Sequence, residues 1–429
     1  MRYFSKMEEI EETEESFVNK ISDEDLYDIQ TSIGEMAEDY IKEFGYKMMK
    51  VDFTEEMTEE IAHILFQSFL DSNTCTEEDY EDIANLVEDN IHLLYDYRGI
   101  PERSLSTAPE TSESPIHICL IEQIQAFQSV KQPAQRTQEW YDDRHSIITA
   151  SNIWKVFASD AQYNSFVYEK CQLTVAGSNT NGSVNTSSSL HWGVKYEPLT
   201  VMLYESRNQT RVGVFGCIKH PVHNFIGASP DGINVDETSA LYGRMIEIKN
   251  IVNREITGIP AEAYWVQMQI QMEVCNLDGC DFVETRFKEY ETEEAFFQDE
   301  TNQRGVILHF VMNDGTATQP IYYYMPLTYN LEKEEIDRWI LETRNQSRLK
   351  GEVLFQTIYW YLDEYSCVYV PRNRVWFESA LPKLKEVWAT IQTERESGFE
   401  HRAPKKRVVD ETSAKSVCLI KLDSTEFDT

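Results

Sequence analysis

One stretch, Gly227–Val274, limits what this chain can fold into more than any other. It reads GASPDGI, then a glycine turn, then MIEIKNI, then PAEAYWVQMQIQMEV. Alternate side chains of a strand share a face. MIEIKNI therefore sets Glu247 and Lys249 on one face and Ile246 and Ile248 on the other. The isoleucine face is predicted to be core and the charged face to border a cleft. Asp231 sits in Ser-Pro-Asp-Gly, a strong turn signal. A turn followed by a short strand can bring Asp231 back beside Glu247. Two carboxylates and a lysine form a hard-oxygen site suited to Mg²⁺ or Mn²⁺, where a metal activates water on phosphate. An isolated E-x-K pair is usually a solvated face. Here the apolar opposite face, the acidic turn before it and the amide-bearing helix after it set the pair apart.

The rest of the composition bears on that reading through charge. The 429 residues carry a net charge of −35, an unexpected balance for a chain that handles phosphodiesters. The imbalance is concentrated: residues 1–120 hold 31 acids and 8 bases, the remainder 43 acids and 31 bases. Global charge speaks to solubility and steering, and a site on a polyanion needs only a local basic groove. Hydrophobic residues make up 41% of the chain, enough for a large core, and the length allows two or three domains. No apolar run approaches the ~18 residues of a membrane span. The N-terminal MRYFSKMEEIEETEESF lacks the apolar centre of a signal peptide. A soluble intracellular protein is expected. The eight cysteines form no C-x-x-C, which points to a reducing compartment and away from zinc or iron–sulfur sites.

In chain order, residues 1–20 read as a disordered acidic arm and 21–98 as an acidic helical domain. Ser22-Asp-Glu-Asp, Thr54-Glu-Glu-Met and Thr76-Glu-Glu-Asp open three patterns of helical period. Residues 99–118, rich in Pro, Ser, Thr and Glu, read as a linker. A domain over 119–397 follows, and then a polar tail, 398–429, in which Pro404-Lys-Lys-Arg is similar to a nuclear-import signal. Within the large domain a helix is expected near 119–130. Ser151 is expected to cap a helix carrying Ile153 and Trp154, with Arg144 upstream able to share a phosphate with it. Residues 176–189 are low-complexity. The helix of His191-Trp-Gly through Tyr204 carries Glu197, an acid beside an apolar stripe. Val212–Ile218, Cys280–Tyr290, Gly305–Met312, Ile321–Met325 and Val353–Val370 read as β-structure, with helices near 331–346 and around Trp376–Trp388. His220 and His223 are read as turn residues, not as metal ligands.

From Arg136 to Tyr290 the chain resembles the lambda-exonuclease and YqaJ-like viral recombinase nucleases of the PD-(D/E)XK superfamily. Five motifs occur in the family's order: Arg144…Thr149-Ala150-Ser151, Trp192-Gly193…Tyr196-Glu197, Ser229-Pro-Asp231-Gly, Glu247-Ile248-Lys249 and Tyr264…Gln267-Met-Gln269. They cover about a third of the chain, and the overall layout is similar to the versions in large DNA viruses. Asn250-Ile251 follows Lys249, where many relatives have Cys-Pro or Thr-Pro.

The resemblance implies an α/β (α+β) core, a mixed central sheet flanked by helices, behind an acidic all-α front domain. It implies that Asp231, Glu247 and the carbonyl of Ile248 hold Mg²⁺ (or Mn²⁺), with Glu197 as a further metal-linked carboxylate. Lys249 is implied to hold and activate the attacking water, and Gln267 to orient Lys249 or the scissile phosphate. Arg144, Ser151 and Ser229 are implied to grip a 5′-terminal phosphate. The implied activity is 5′→3′ exonuclease action on double-stranded DNA ends in viral recombination, repair or end processing. The implied partners are a single-strand-annealing protein and further copies of the chain in a trimer, with work in the host cytoplasm or nucleus. Two alternatives stand beside this: an endonuclease or DNA/RNA nuclease of the same fold, and a catalytically silent module that binds DNA ends or protein.

Overall fold

The computed structural model describes residues 16–108, 118–130, 137–173, 186, 188–312 and 320–404. Its front is helical: α1 (Phe17–Lys20), α2 (Asp23–Phe44), α3 (Phe53–Asp71) and α4 (Tyr80–Arg98). Two of the three expected caps form; Thr54 is instead the second residue of α3, with Asp52 at the cap position. The Ser22 hydroxyl accepts from the Asp25 N–H at 3.2 Å to start α2. Thr76 and Asp79 form a reciprocal capping box before α4. Gly99, with φ of 63°, ends α4 in the left-handed conformation that favours glycine. The apolar stripes, including Ile33 and Ala37, Met57 and Ile61, and Ile83 and Val87, are buried together.

Two expected boundaries move. The last residues of the expected arm form α1, with Phe17 fully buried and its N–H bound to Asp82 at 2.6 Å. The start of the expected linker is a strap against the large domain. Leu105 and Tyr369 exchange backbone hydrogen bonds of 2.8 and 2.9 Å. Arg103 donates to the carbonyls of Met49 (2.9 Å) and Pro260 (2.6 Å), and the Trp265 indole donates to the Arg103 carbonyl at 2.9 Å. The reason is an open sheet edge near Tyr369, whose backbone groups need partners that a short passing segment supplies. The front helices also share their core with the large domain. Met48 and Met49 lie in one cluster with Trp265 and Trp376, so 21–98 is not a separate globule.

The large domain runs α5 (Ile118–Ser129), α6 (Gln138–His145), β1 (Ile148–Thr149), α7 (Ala150–Ile153), α8 (Asp160–Cys171), α9 (Ser189–Asn208), β2 (Val212–Gly213), β3 (Ile218–Lys219), β4 (Ile226–Ala228), β5 (Gly232–Asn234) and β6 (Met245–Asn250). It continues through α10 (Glu262–Cys275), β7 (Gly279–Glu289), α11 (Glu293–Gln298), β8 (Arg304–Met312), β9 (Ile321–Tyr324), α12 (Lys333–Leu349), β10 (Glu352–Pro371) and α13 (Arg374–Ser397). Among the described residues the main sheet has seven strands in the order β2-β5-β6-β7-β10-β8-β9, and β1-β4-β3 form a smaller one.

β6 and β7 are parallel, joined by α10, and every other pairing of the main sheet is antiparallel. A parallel pair needs such a crossover. The crossover helix covers one face of the β6–β7 pair, where Met268 and Met272 share a core with Met245 and Phe282. α9 covers the other, where Tyr204 packs with Ile246, Ile248 and Val283. The isoleucine face of MIEIKNI is thus core, as its alternation predicts. This mixed sheet between helices is the α/β architecture expected of a PD-(D/E)XK core.

The region read as one β-segment, Val212–Ile218, is divided. Its first residues pair with β5 in the main sheet and its last with β4 in the small one. The polar tail begins by folding back: Arg402 donates to Glu394 at 2.6 Å and to Asn164 at 3.1 Å. Most of the low-complexity stretch 176–189 and residues 405–408 of the basic run lie outside the described residues. No described helix is long and apolar enough to cross a membrane.

Candidate active site

The antiparallel register of β5 and β6 pairs Gly232 with Ile246. One residue further along, Asp231 stands opposite Glu247, and directly opposed residues project from the same face. The turn does return the aspartate to the glutamate. Asp231 Oδ2 accepts the Ile248 N–H at 2.7 Å, which fixes its carboxylate at the strand edge. Gly232 is required by packing, since it has no positive φ: a Cβ there lies 2.2 Å from Val212 Cγ1 and 3.2 Å from the Ile246 side chain.

Glu247 is fully buried. The Lys249 amine, two residues on and on the same face, donates to Glu247 Oε1 and lies 4.9 Å from the centre of the Tyr264 ring. Burial, and then the charge of Glu247, push the Asp231 carboxyl well above the usual range, against the pull of Lys249 and the Ile248 N–H. Glu197, on α9, is open to solvent along one side. The protein packed around it and the charge of Glu247 raise its pKa as well. Burial opposes the charge of Lys249, but Glu247 and Asp231 outweigh it and hold the amine above the ordinary lysine value. The cleft is therefore a crowd of acids around one amine whose pKa they raise.

This donor set fits a hydrated magnesium-like ion. A strand residue turns its N–H and C=O to the same edge. The Ile248 N–H already points at Asp231, so its carbonyl faces the same side, beyond the end of β5. Two carboxylates and a carbonyl suit a cation that keeps several of its waters. Among the described residues no three Asp, Glu, His or Cys side chains are grouped so that they could hold a metal ion.

Gln267 is half-buried on α10, and no described residue hydrogen-bonds its amide. Gln271, one turn later, is the amide that reaches the site: it is fully buried and donates to Glu247 Oε2 at 2.8 Å and to the Ser229 carbonyl at 3.3 Å. The sequence held a signal for it. Three glutamines recur on an otherwise apolar helix, and a buried amide needs partners. Gln269 finds its own in the Pro371 carbonyl and the Asn373 N–H.

The three residues expected to grip phosphate come from different elements that converge. β1 runs parallel to β4 with Thr149 beside Gly227, so Ser151 and Ser229 emerge at the same end, both exposed. Ser151 is not the helix cap. Thr149, still extended at φ −103° and ψ 142°, holds that position, and Ser151 is the second residue of α7. Thr149 Oγ1 is buried there without a partner. Cys217 is hydrogen-bonded to the Ser229 side chain and within electrostatic reach of Arg144. The Arg144 guanidinium lies 4.8 Å from the Trp140 ring centre and hydrogen-bonds no described residue. Gln271 thus joins the Ser229 turn to the buried Glu247. His220 stays a turn residue: its Nδ1 accepts the N–H groups of Val222 and His223 at 3.0 and 3.1 Å.

Fold and site together resemble a PD-(D/E)XK-type core: a β-turn aspartate, an E-x-K strand and a crossover helix bearing amides. Comparison makes this specific, because residues 139–278 match the model of the YqaJ-like viral recombinase domain. That segment is similar to a YqaJ-like viral recombinase domain. An uncharacterised protein of Acanthamoeba polyphaga mimivirus is 29% identical over 301 residues, which are 62% of this chain and 54% of the relative. The chain therefore spans about half the length of that relative. Among solved structures, the alkaline exonuclease LHK-Exo of Laribacter hongkongensis is 19% identical, covering 61% of this chain and 95% of its own, at a TM-score of 0.36. Its complex with dAMP gives the same values.

Proposed function

We propose that this protein is a metal-dependent deoxyribonuclease that degrades double-stranded DNA 5′→3′ from its ends, in viral recombination, repair or end processing. The observation that carries the reading is the meeting of Asp231 and Glu247 across β5–β6 with the Lys249 amine on Glu247. The match of residues 139–278 supports the same class.

Asp231, Glu247 and the Ile248 carbonyl would hold Mg²⁺ or Mn²⁺, with Glu197 reaching it through water. A bound divalent ion would lower the pKa of its water and offset charge building on the phosphate. Lys249, whose amine donates to Glu247 Oε1, would hold the attacking water beside the metal. There it would orient the attacking oxygen and stabilise negative charge building on the phosphate. Gln271 keeps Glu247 aimed at the cleft from behind. Arg144, Ser151 and Ser229 would bind the 5′-terminal phosphate and so set how far the strand enters. Gln267, lining α10 one turn before Gln271, is free to meet the scissile phosphate.

The test is digestion of end-labelled linear duplex in Mg²⁺, with closed circular DNA as the control. The expected result is release of nucleotides from the 5′ end, no cutting of the circle, and no digestion by Asp231→Ala or Glu247→Ala. Full activity in either variant removes the assignment. Equal cutting of the circle replaces it with an endonuclease.

A further inference from the structure

Behind the proposed phosphate grip three cations meet, and none of them is ion-paired to a described acid. Lys170, in the last turn of α8, donates to the carbonyls of Arg144 (3.2 Å) and Ile147 (2.9 Å). Arg395, in the last turn of α13, donates to the His145 carbonyl (2.7 Å) and to the carbonyl of Lys170 itself (2.6 Å). Arg144 completes the group. Each of the three follows an acid in sequence, and each of those acids is paired elsewhere: Asp143 with Lys219 at 2.6 Å, Glu169 with Lys155 at 3.0 Å, Glu394 with Arg402 at 2.6 Å. Among the described residues none of the three cations has a carboxylate within ion-pair distance, in a chain of net charge −35. Burial, and then Arg144 and Arg395, push the Lys170 amine down to about 8, against a weaker pull from Cys217 and Glu169. Basic side chains often close the carbonyls at a helix C-terminus. That explains the bonds to the end of α6 but not why every nearby acid is directed away.

We infer that Lys170 and Arg395 are positioning residues of the phosphate grip. They staple the turn 144–147, which carries Arg144 into Ser151. They also hold an excess of positive charge that a terminal phosphate at Arg144, Ser151 and Ser229 offsets. The inference rests on the proposed role of those three residues. It adds that preference for a phosphorylated end is set from α8 and from α13, the latter outside the 139–278 segment.

Binding of the full chain to fluorescent duplexes with 5′-phosphate or 5′-hydroxyl ends, in EDTA so that nothing is cut, tests this. The readout is the ratio of the two Kd values. Wild type is expected to favour the phosphate. Lys170→Met and Arg395→Met should each reduce that ratio by about tenfold, the scale of losing one charge-assisted contact. Lys170→Gln, which keeps donors for both carbonyls but no charge, should reduce it too, while Lys170→Arg should retain most of it. A wild type without preference, or Arg144→Ala without effect on the ratio, ends the reading of the trio. Loss of preference in Arg144→Ala but not in folded Lys170 and Arg395 variants overturns this inference alone. So does equal weakening on both ends, which marks a merely structural role.

Discussion

The chain has two acid-rich regions, and they treat their carboxylates in opposite ways. In the front helices the buried acid, Asp79, is satisfied: the Lys20 amine and the Thr76 N–H bind it and hold its pKa below the usual value. In the cleft, burial and mutual repulsion hold Asp231 and Glu197 above theirs. The first region uses acids as caps and ion-pair partners, which stabilise a fold. The second keeps its acids at a cost to stability, which a fold tolerates where a cation or substrate repays it.

That contrast can be broken or sharpened by experiment. The largest effect is expected from removing residues 1–98. The Trp376 indole donates to the Tyr46 carbonyl at 3.0 Å, and Trp265 and Trp376 share their core with Met48 and Met49. Uncovering them should cost on the order of 5 kcal/mol or more in urea unfolding, or leave the remainder insoluble. A truncated chain that unfolds like the whole one would restore the picture of two separate domains.

Next is Asp231→Asn. The folded-state pKa of Asp231 is raised, so ionisation at neutral pH works against the fold. The neutral amide removes that penalty and retains an acceptor for the Ile248 N–H. The melting temperature in EDTA should rise, by about 2 °C for each 1 kcal/mol recovered. Cleavage in Mg²⁺ should fall by about 10³-fold. A variant that loses both stability and activity would mean that the aspartate is structural.

Gln271→Leu should be milder. It strips Glu247 Oε2 and the Ser229 carbonyl of one shared donor. A supporting contact of this kind is worth about 10–100-fold in metal affinity or activity. The Mg²⁺ concentration giving half-maximal cleavage should rise, and Gln267→Leu should leave it unchanged.

The smallest change is expected at Asp79→Ala, at about 1 kcal/mol for loss of a helix-capping group. Its pH signature is more telling than its size. The Asp79 pKa is depressed by folding, so its contribution is present above the unfolded value near 4 and is lost as pH falls through the folded one. Wild type and variant melting curves should therefore converge below about pH 4.

What the sequence could reveal divides along physical lines. The E-x-K strand, the Asp-Gly turn and the caps at Ser22 and Thr76 depend on residues within a few positions of one another, and each was readable. Gln271 was signalled only as one of three amides and could not be singled out, because Gln267 and Gln271 share one face of α10. Only the placement of α10 over the β6–β7 pair decides which amide lies level with Glu247. Arg395 was hidden by distance: its contact with His145 spans 250 residues of chain. The strap at Leu105 was misread for a third reason. Composition reports how a segment behaves in water, and an unpaired sheet edge near Tyr369 changed its environment.

The glycine beside Asp231 has a consequence of its own. With Val212 and Ile246 filling the space where a methyl group would go, position 232 answers to the aliphatic layer behind it and has no say in the reaction. The acid one residue earlier, on the proposed function, answers to the reaction and burdens the fold. A descendant of this chain that abandoned catalysis would be free to drift at 231 while staying frozen at 232, so the pair can record in its lineage when cutting was given up.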